Sequence, residues 1–248
     1  MFKRLLKGTE FSQLLDMVSP AFFDVLPPRE LWRQGREIQR RYGDDALYMR
    51  CLSERADLLD RAGIGVRIGS VGGPQQVADP QARGQALLRL YFHQVLDSGP
   101  VLMDVRRERF IARGDHTLWD PGKMSIRFEP EFQAALREMY AGFYRDDDDR
   151  FMAALDSLNL RCAEKTFRNQ FGAGDQRAVT FSVKEFVGTF HEAFLACRDR
   201  GDTLHRNFMG LGIYLAFLYD HLESIGGGPF DVRAAYFAAA GEPLAEAA

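Results

Sequence analysis

Between Glu129 and Ala239, apolar residues recur at helical spacing almost without interruption, in segments 129–144, 146–158, 161–171, 182–199, 203–225 and 231–239. Patterning of that period over so long a stretch calls for helices packed on helices and leaves no place there for a large sheet. The punctuation agrees. Asp146 to Asp149 put four carboxylates at a helix start, where the helix dipole favours them, and Gly226-Gly227-Gly228-Pro229 breaks the pattern before the last segment. The oxygen-ligand alternation of a calcium loop is missing from that acidic run, so capping is the reading it supports. Ahead of Glu129 three more helices are expected. One runs from Arg29 to about Tyr42, the next from Asp44 or Asp45 to Ala62 with Gly63 as its stop, and the third over 81–98. The glycine-rich stretch 63–84 reads as a short strand or two followed by a loop, and it is the best internal boundary.

The resulting organisation is an N-terminal helical segment with a Gly-rich linker over 1–80, a helical domain over 81–240, and a frayed tail over 241–248. The fold class is mostly α with a small β-hairpin. Residues 2–18 read as a further amphipathic helix, with Phe2, Leu5, Leu6, Phe11, Leu14, Leu15 and Val18 at helical spacing. Packing on its own domain is the reading taken for that helix. Lys3, Arg4 and Lys7 near its start leave weak peripheral membrane contact as the alternative.

Composition removes several function classes. A net charge of −3 and a pI near 6.0 give no pull towards nucleic acid. Cys51, Cys162 and Cys197 are odd in number and far apart, which suits a reducing compartment and makes neither a disulfide framework nor a metal knuckle. The start of the chain lacks a signal-peptide pattern, and the longest uncharged run, Asn207 to Tyr219, is too short for a bilayer. A cytoplasmic protein is expected. Neither Gly-x-Ser-x-Gly nor a His-Glu-x-x-His pattern is present, and a carboxylate–histidine metal set from Glu185, His191, Glu192 and His221 lacks a Glu-x-x-His pair.

The stretch that does suggest chemistry is 101–122, VLMDVRRERFIARGDHTLWDPG. Phe110–Arg113 and His116–Trp119 are two β-like runs around Gly114-Asp115, a hairpin signal, and aspartates stand on either side at Asp104 and Asp120. Phosphoryl-transfer sites need one aspartate for the acceptor hydroxyl, an amide and a second aspartate for Mg²⁺, and a lysine on the phosphates. Asp104 and Asp120 could supply the two carboxylates, although an Asp before Pro-Gly is also ordinary turn chemistry. Arg106, Arg107 and Arg109 form a candidate anion-binding cluster, since guanidinium groups favour bidentate contacts to oxyanions. The aromatic series Phe181, Phe186, Phe190 and Phe194 with Phe208, Tyr214 and Phe217 reads as core between two helices, and an apolar ligand pocket is its alternative.

The order of these features resembles the UbiB/AarF family of atypical kinase-like proteins, over residues 85–235. LLRLYFHQVLDSGPVLMD is similar to that family's helix and catalytic-loop entry. WDPGKMSIRFEPEFQAALREMYAGFYRDDDDRFMAALDSLNL is similar to the part after its Asp-Phe-Gly, and TLHRNFMGLGIYLAFLYDHLESIGGGPFDV to its closing helix, with Arg206 as the helix's arginine. The resemblance implies a kinase C-lobe-like helical domain with a reduced or absent N-lobe, Asp104 as the catalytic aspartate and Asp120 as the metal aspartate. It departs from the family at the remaining positions. Leu102 stands for the loop histidine, Arg106-Arg107-Glu108-Arg109 for His-Pro-Gly-Asn, and Pro121 for the phenylalanine after the metal aspartate. Arg109 puts a cation where an amide oxygen should hold Mg²⁺. No lysine occurs between Lys7 and Lys123, and Gly63 to Val71 is one residue off the kinase glycine-loop spacing.

Both aspartates therefore read as vestigial. The function expected is a non-catalytic, pseudokinase-like regulator or scaffold that binds a protein partner or an apolar small molecule, with no cofactor. One alternative is a residual UbiB-like ATPase or kinase, using ATP and Mg²⁺ and linked to isoprenoid-quinone metabolism. The other is an unrelated all-α interaction protein in which the aspartates carry no role. No particular ligand pocket is legible.

Overall fold

The computed structural model describes residues 21–71, 79–113, 116–171 and 178–241. The expected helix over 2–18, the hairpin tip at Gly114-Asp115 and the tail beyond Gly241 lie outside the described residues. Within them the protein is mostly α, with small two- and three-stranded sheets. None of these helices is long and apolar enough to cross a membrane.

Local signals start and stop the helices. After a single turn, α1 (Phe22–Val25), the chain enters α2 (Pro28–Tyr42), whose first residue is a proline at a position that needs no amide hydrogen. In α3 (Asp45–Ala62) the Asp44 side chain accepts from the Leu47 N–H at 2.8 Å, and Gly63 closes the helix at φ +59°. Asp79 caps α4 (Pro80–Leu96) in the same way. Then follow α5 (Pro130–Tyr144), α6 (Asp148–Ser157) capped by Asp147, α7 (Glu164–Phe171) and α8 (Val183–Arg200) capped by Ser182. Last come α9 (Phe208–Ile225) and α10 (Val232–Ala240), the latter capped by Asp231. The acidic run thus serves as a cap: Asp147 accepts from the Arg150 N–H at 3.0 Å, and Asp148 pairs with Arg168.

One boundary differs from the sequence reading. The helix expected to begin near residue 203 begins at Phe208. The residues just ahead spend their polar groups on distant partners instead. Asn207 accepts from the Glu129 N–H at 2.8 Å and donates to Gln34 at 3.3 Å, while its own N–H reaches His205 Nδ1. Helical periodicity cannot reveal such a tertiary claim on the backbone.

The strands are short. β1 (Val66–Ile68) runs parallel to β4 (His116–Trp119), which pairs antiparallel with β3 (Phe110–Arg113) in the register Phe110 opposite Trp119. β2 (Val101–Leu102) pairs with β5 (Ser125–Ile126), and β6 (Ala178–Val179) with β7 (Phe230–Asp231). A single hydrophobic cluster joins Phe22, Leu26 and Leu59 of the first helices to Leu90, Phe92, Phe151, Tyr214 and Phe237 of the later ones. The aromatic series is part of it: Phe186 lies 4.6 Å from Phe190 and 4.5 Å from Tyr219, ring centre to ring centre. Two glycines permit close approach. A Cβ at Gly142 would stand 2.4 Å from the Phe151 nitrogen, and one at Gly84 would enter the Phe230 ring.

Candidate functional site

The segment carrying Asp104 follows β2 and is fixed from several sides. Gln94 on α4 acts as a surrogate strand: its Oε1 accepts from the Leu102 N–H at 2.7 Å and its Nε2 donates to the Leu102 carbonyl at 3.2 Å. The Met103 N–H reaches the Met124 carbonyl at 3.0 Å, beside β5. Trp119 Nε1 donates to the Asp104 carbonyl at 2.9 Å, and His221 Nδ1 meets the Val105 carbonyl at 2.7 Å. The hairpin and α9 thus hold the backbone around Asp104 rigidly, as a positioned carboxylate requires.

Asp104 is 0 % exposed. Arg106 grips it with two bonds, Nε to Oδ1 at 2.8 Å and a terminal nitrogen to Oδ2 at 2.7 Å. Arg109 adds a third, from Nε to Oδ2 at 2.9 Å. Asp104 is therefore flanked by two guanidinium groups in a water-poor setting, where such fork geometry is strongest. Arg106 also pairs with Glu108 at 3.1 Å and lies over the Phe217 ring. Gly122 closes the other side. Its backbone sits at φ +58°, and a Cβ there would stand 3.3 Å from Asp104 Oδ2.

Asp120 lies at the end of the hairpin, half-buried. Its N–H donates to the Arg109 carbonyl at 2.9 Å, and its Oδ1 accepts from the Gly122 N–H at 3.2 Å. This is the Asp-turn geometry that Asp-Pro-Gly allows. Tyr48 on α3 faces the same group. Burial, and after it the negative charge of Asp120, push its hydroxyl up to about 12, with Arg109 opposing and Asp104 adding. The next residue after the turn, Lys123, pairs with Asp45 on α3. So α3 covers the Asp104–Asp120 region, and Tyr48 remains a neutral phenol there.

No family model matches the chain. No curated protein sequence matches it either.

The structure thus brings Asp104, Arg106 and Arg109 into one ion cluster, with Asp120 beside it. It separates Arg107, which reaches the Ser224 carbonyl of α9 at 3.3 Å. Arg206 stands just ahead of α9 and binds Glu129, which also meets His205 Nε2 at 3.0 Å. Among the described residues, Glu129, Glu131 and His205 are the set whose ligand atoms lie close enough to share a metal ion, all within 4.8 Å. Their spacing of 76 residues gives no sequence signal, and the Arg206 guanidinium already supplies a cation to Glu129. The set Glu185, His191, Glu192 and His221 is not brought together as such a group. A cavity of about 380 Å³ between α7, β6, α8 and α9 is lined by polar groups such as Thr180, Glu185 and Glu192 together with Val179 and Tyr219, a wall of mixed character.

Proposed function

We propose that the chain is a non-catalytic, pseudokinase-like regulator or scaffold that binds a protein partner. The observation that carries this reading is the saturation of Asp104. A catalytic aspartate must offer a free oxygen to an acceptor hydroxyl, and a metal aspartate must share its ion with a neutral or anionic ligand. Here both oxygens of Asp104 accept from arginines, and the position that the UbiB/AarF resemblance gives to an asparagine is filled by Arg109. An Mg²⁺ ion entering there would meet a guanidinium group rather than an oxygen.

Trp32, Tyr42 and Met49, on and beside α2 and α3, are large apolar side chains left exposed, as partner-facing residues often are. The test is a thermal-shift titration with ATP and Mg²⁺, run on the wild-type chain and on Asp120→Asn. A ligand that binds only the folded state must raise the melting temperature. No metal-dependent rise is expected. A rise that disappears in the variant would overturn this reading in favour of a residual UbiB-like ATPase or kinase.

A further inference from the structure

The cavity of about 380 Å³ between α7, β6, α8 and α9 holds two unused carboxylates. Glu185 and Glu192 line it from α8, and the side chain of neither forms an ion pair or hydrogen bond among the described residues. They stand seven residues apart on one helix face, about 10 Å along its axis, with Gly188 and Thr189 between them. Gly188 is the odd member of this row. A glycine inside a helix weakens it, and a close neighbour is the ordinary reason for one. Here an added Cβ would meet nothing within 4 Å. Packing does not call for the glycine, and its effect is to keep the wall between the two carboxylates open.

Tyr219 of α9 is an independent sign of a ligand. It lines the same cavity and is only 5 % exposed. Its ring packs against Phe181 at 4.8 Å and Phe186 at 4.5 Å, yet its hydroxyl forms no hydrogen bond among the described residues. That oxygen is not sealed off, and the space it meets is this cavity. A polar group so deeply buried without a partner points to one supplied from outside. Burial, then Tyr140 and Glu185, hold the phenol well above its ordinary value, so it stays neutral and keeps its capacity to accept.

The lining selects its ligand by chemistry. Two carboxylates, a neutral phenol oxygen and the hydroxyls of Thr180 and Thr189 all accept hydrogen bonds, so their complement is a cation rich in N–H donors. Carboxylates two helical turns apart suit two charges spaced along a chain better than one metal ion. Neither belongs to the close-set group Glu129, Glu131 and His205, whose ligand atoms all lie within 4.8 Å. Val179 and the Tyr219 ring add apolar surface to the same wall. We infer that this cavity binds a linear polyamine: its end ammonium groups pair with Glu185 and Glu192, an N–H donates to the Tyr219 hydroxyl, and its methylenes lie over Gly188 and Val179. The site is separate from the Asp104 cluster and does not depend on the pseudokinase reading.

The experiment is calorimetric titration of the full chain with spermidine, butylamine and magnesium chloride, in low salt, where ionic contacts are least screened. It is repeated on Glu185→Gln, Glu192→Gln, Tyr219→Phe, Gly188→Leu and, as a control, Asp60→Asn, whose carboxylate is exposed on α3. Spermidine should bind the wild type, with butylamine and magnesium binding about tenfold or more weaker. Tyr219→Phe should weaken spermidine about tenfold, as loss of a hydrogen bond to a charged group implies. Each Glu→Gln change should weaken it about threefold, the scale of an exposed ion pair. Gly188→Leu should abolish binding, and Asp60→Asn should leave it unchanged. No binding to the wild type overturns the site. Butylamine binding as tightly as spermidine overturns recognition by two carboxylates, and magnesium binding as tightly overturns the amine as ligand. Unchanged affinity in Gly188→Leu, or an equal loss in Asp60→Asn, means attraction to acidic surface at large and overturns the site too. Tyr219→Phe has no hydrogen bond to lose and the Cβ in Gly188→Leu meets nothing. Neither variant should melt below wild type, so lost binding cannot be ascribed to unfolding.

Discussion

Asp104→Asn separates a structural from a catalytic aspartate by the sign of its effect on stability. In the native protein three charge-assisted bonds, of 2.7 to 2.9 Å, converge on a carboxylate with no exposure. Asparagine keeps one acceptor oxygen and turns the other into an NH₂ facing a guanidinium donor. Two half-buried guanidinium groups lose the buried charge they share, and breaking a buried ion pair from one side costs about 3–5 kcal/mol. For a chain of this length that corresponds to a melting-temperature drop of roughly 6–20 °C, at about 2–4 °C per kcal/mol. Urea denaturation followed by circular dichroism measures the loss directly, provided the slope of the transition is unchanged. An active-site carboxylate behaves oppositely, since its removal usually leaves stability unchanged or raises it. A loss below about 1 kcal/mol would therefore refute the account of Asp104 as a sealed structural anion. The double variant Asp104→Asn/Arg109→Gln should lose less than the sum of its single changes, because the two residues touch.

His221 gives a pH dependence with a definite sign. Its folded value lies near 3, far below the ordinary histidine value, because it is buried and flanked by Arg83 and Arg107. The unfolded chain then binds the proton that the folded chain refuses, so stability is complete above about pH 6.5 and falls as pH drops towards 3, by up to roughly 1.4 kcal/mol per unit. Urea midpoints in phosphate-free buffer should show this fall between neutral and mildly acidic pH. His221→Gln should flatten it, and an unchanged slope in that variant would refute the assignment. Cys162 and Cys197 give a second test, since their sulfurs stand 2.8 Å apart and Cys51 is buried elsewhere. Glutathione disulfide should accept two electrons and two protons from the pair, leaving as two glutathione thiols and joining Cys162 to Cys197. Mass spectrometry should find that link and an unmodified Cys51. A glutathione adduct on Cys51 without the link would refute it.

The helices were legible because their signals are local. Asp44, Asp79, Asp147, Ser182 and Asp231 each cap the helix that follows them, and Gly63 ends α3 in a left-handed turn. The hairpin runs Phe110–Arg113 and His116–Trp119 were legible for the same reason. The pairs β2–β5 and β6–β7 were not, since two-residue strands carry no periodicity and exist only through their partners. Nor was the start of α9, which is set by contacts from Asn207 to residues 78 and 173 positions away.

The arginine cluster shows most clearly where one-dimensional reading stops. Arg106, Arg107 and Arg109 look equivalent in sequence, three cations in four positions. The 3₁₀ turn 107–109 assigns them different fates. Arg106, just before the turn, and Arg109, at its end, both face Asp104, whereas Arg107 faces away towards α9. The acidic neighbour that neutralises two of them was visible as Asp104, but its direction was not. Arg83, whose charge is felt by Arg107, lies on another helix, and nothing in the sequence signals that they are near one another. A charge cluster in sequence therefore fixes how much charge is present, and only the turn decides how it is divided. That division is what separates the ion cluster at Asp104 from Arg107, whose guanidinium is spent on the Ser224 carbonyl.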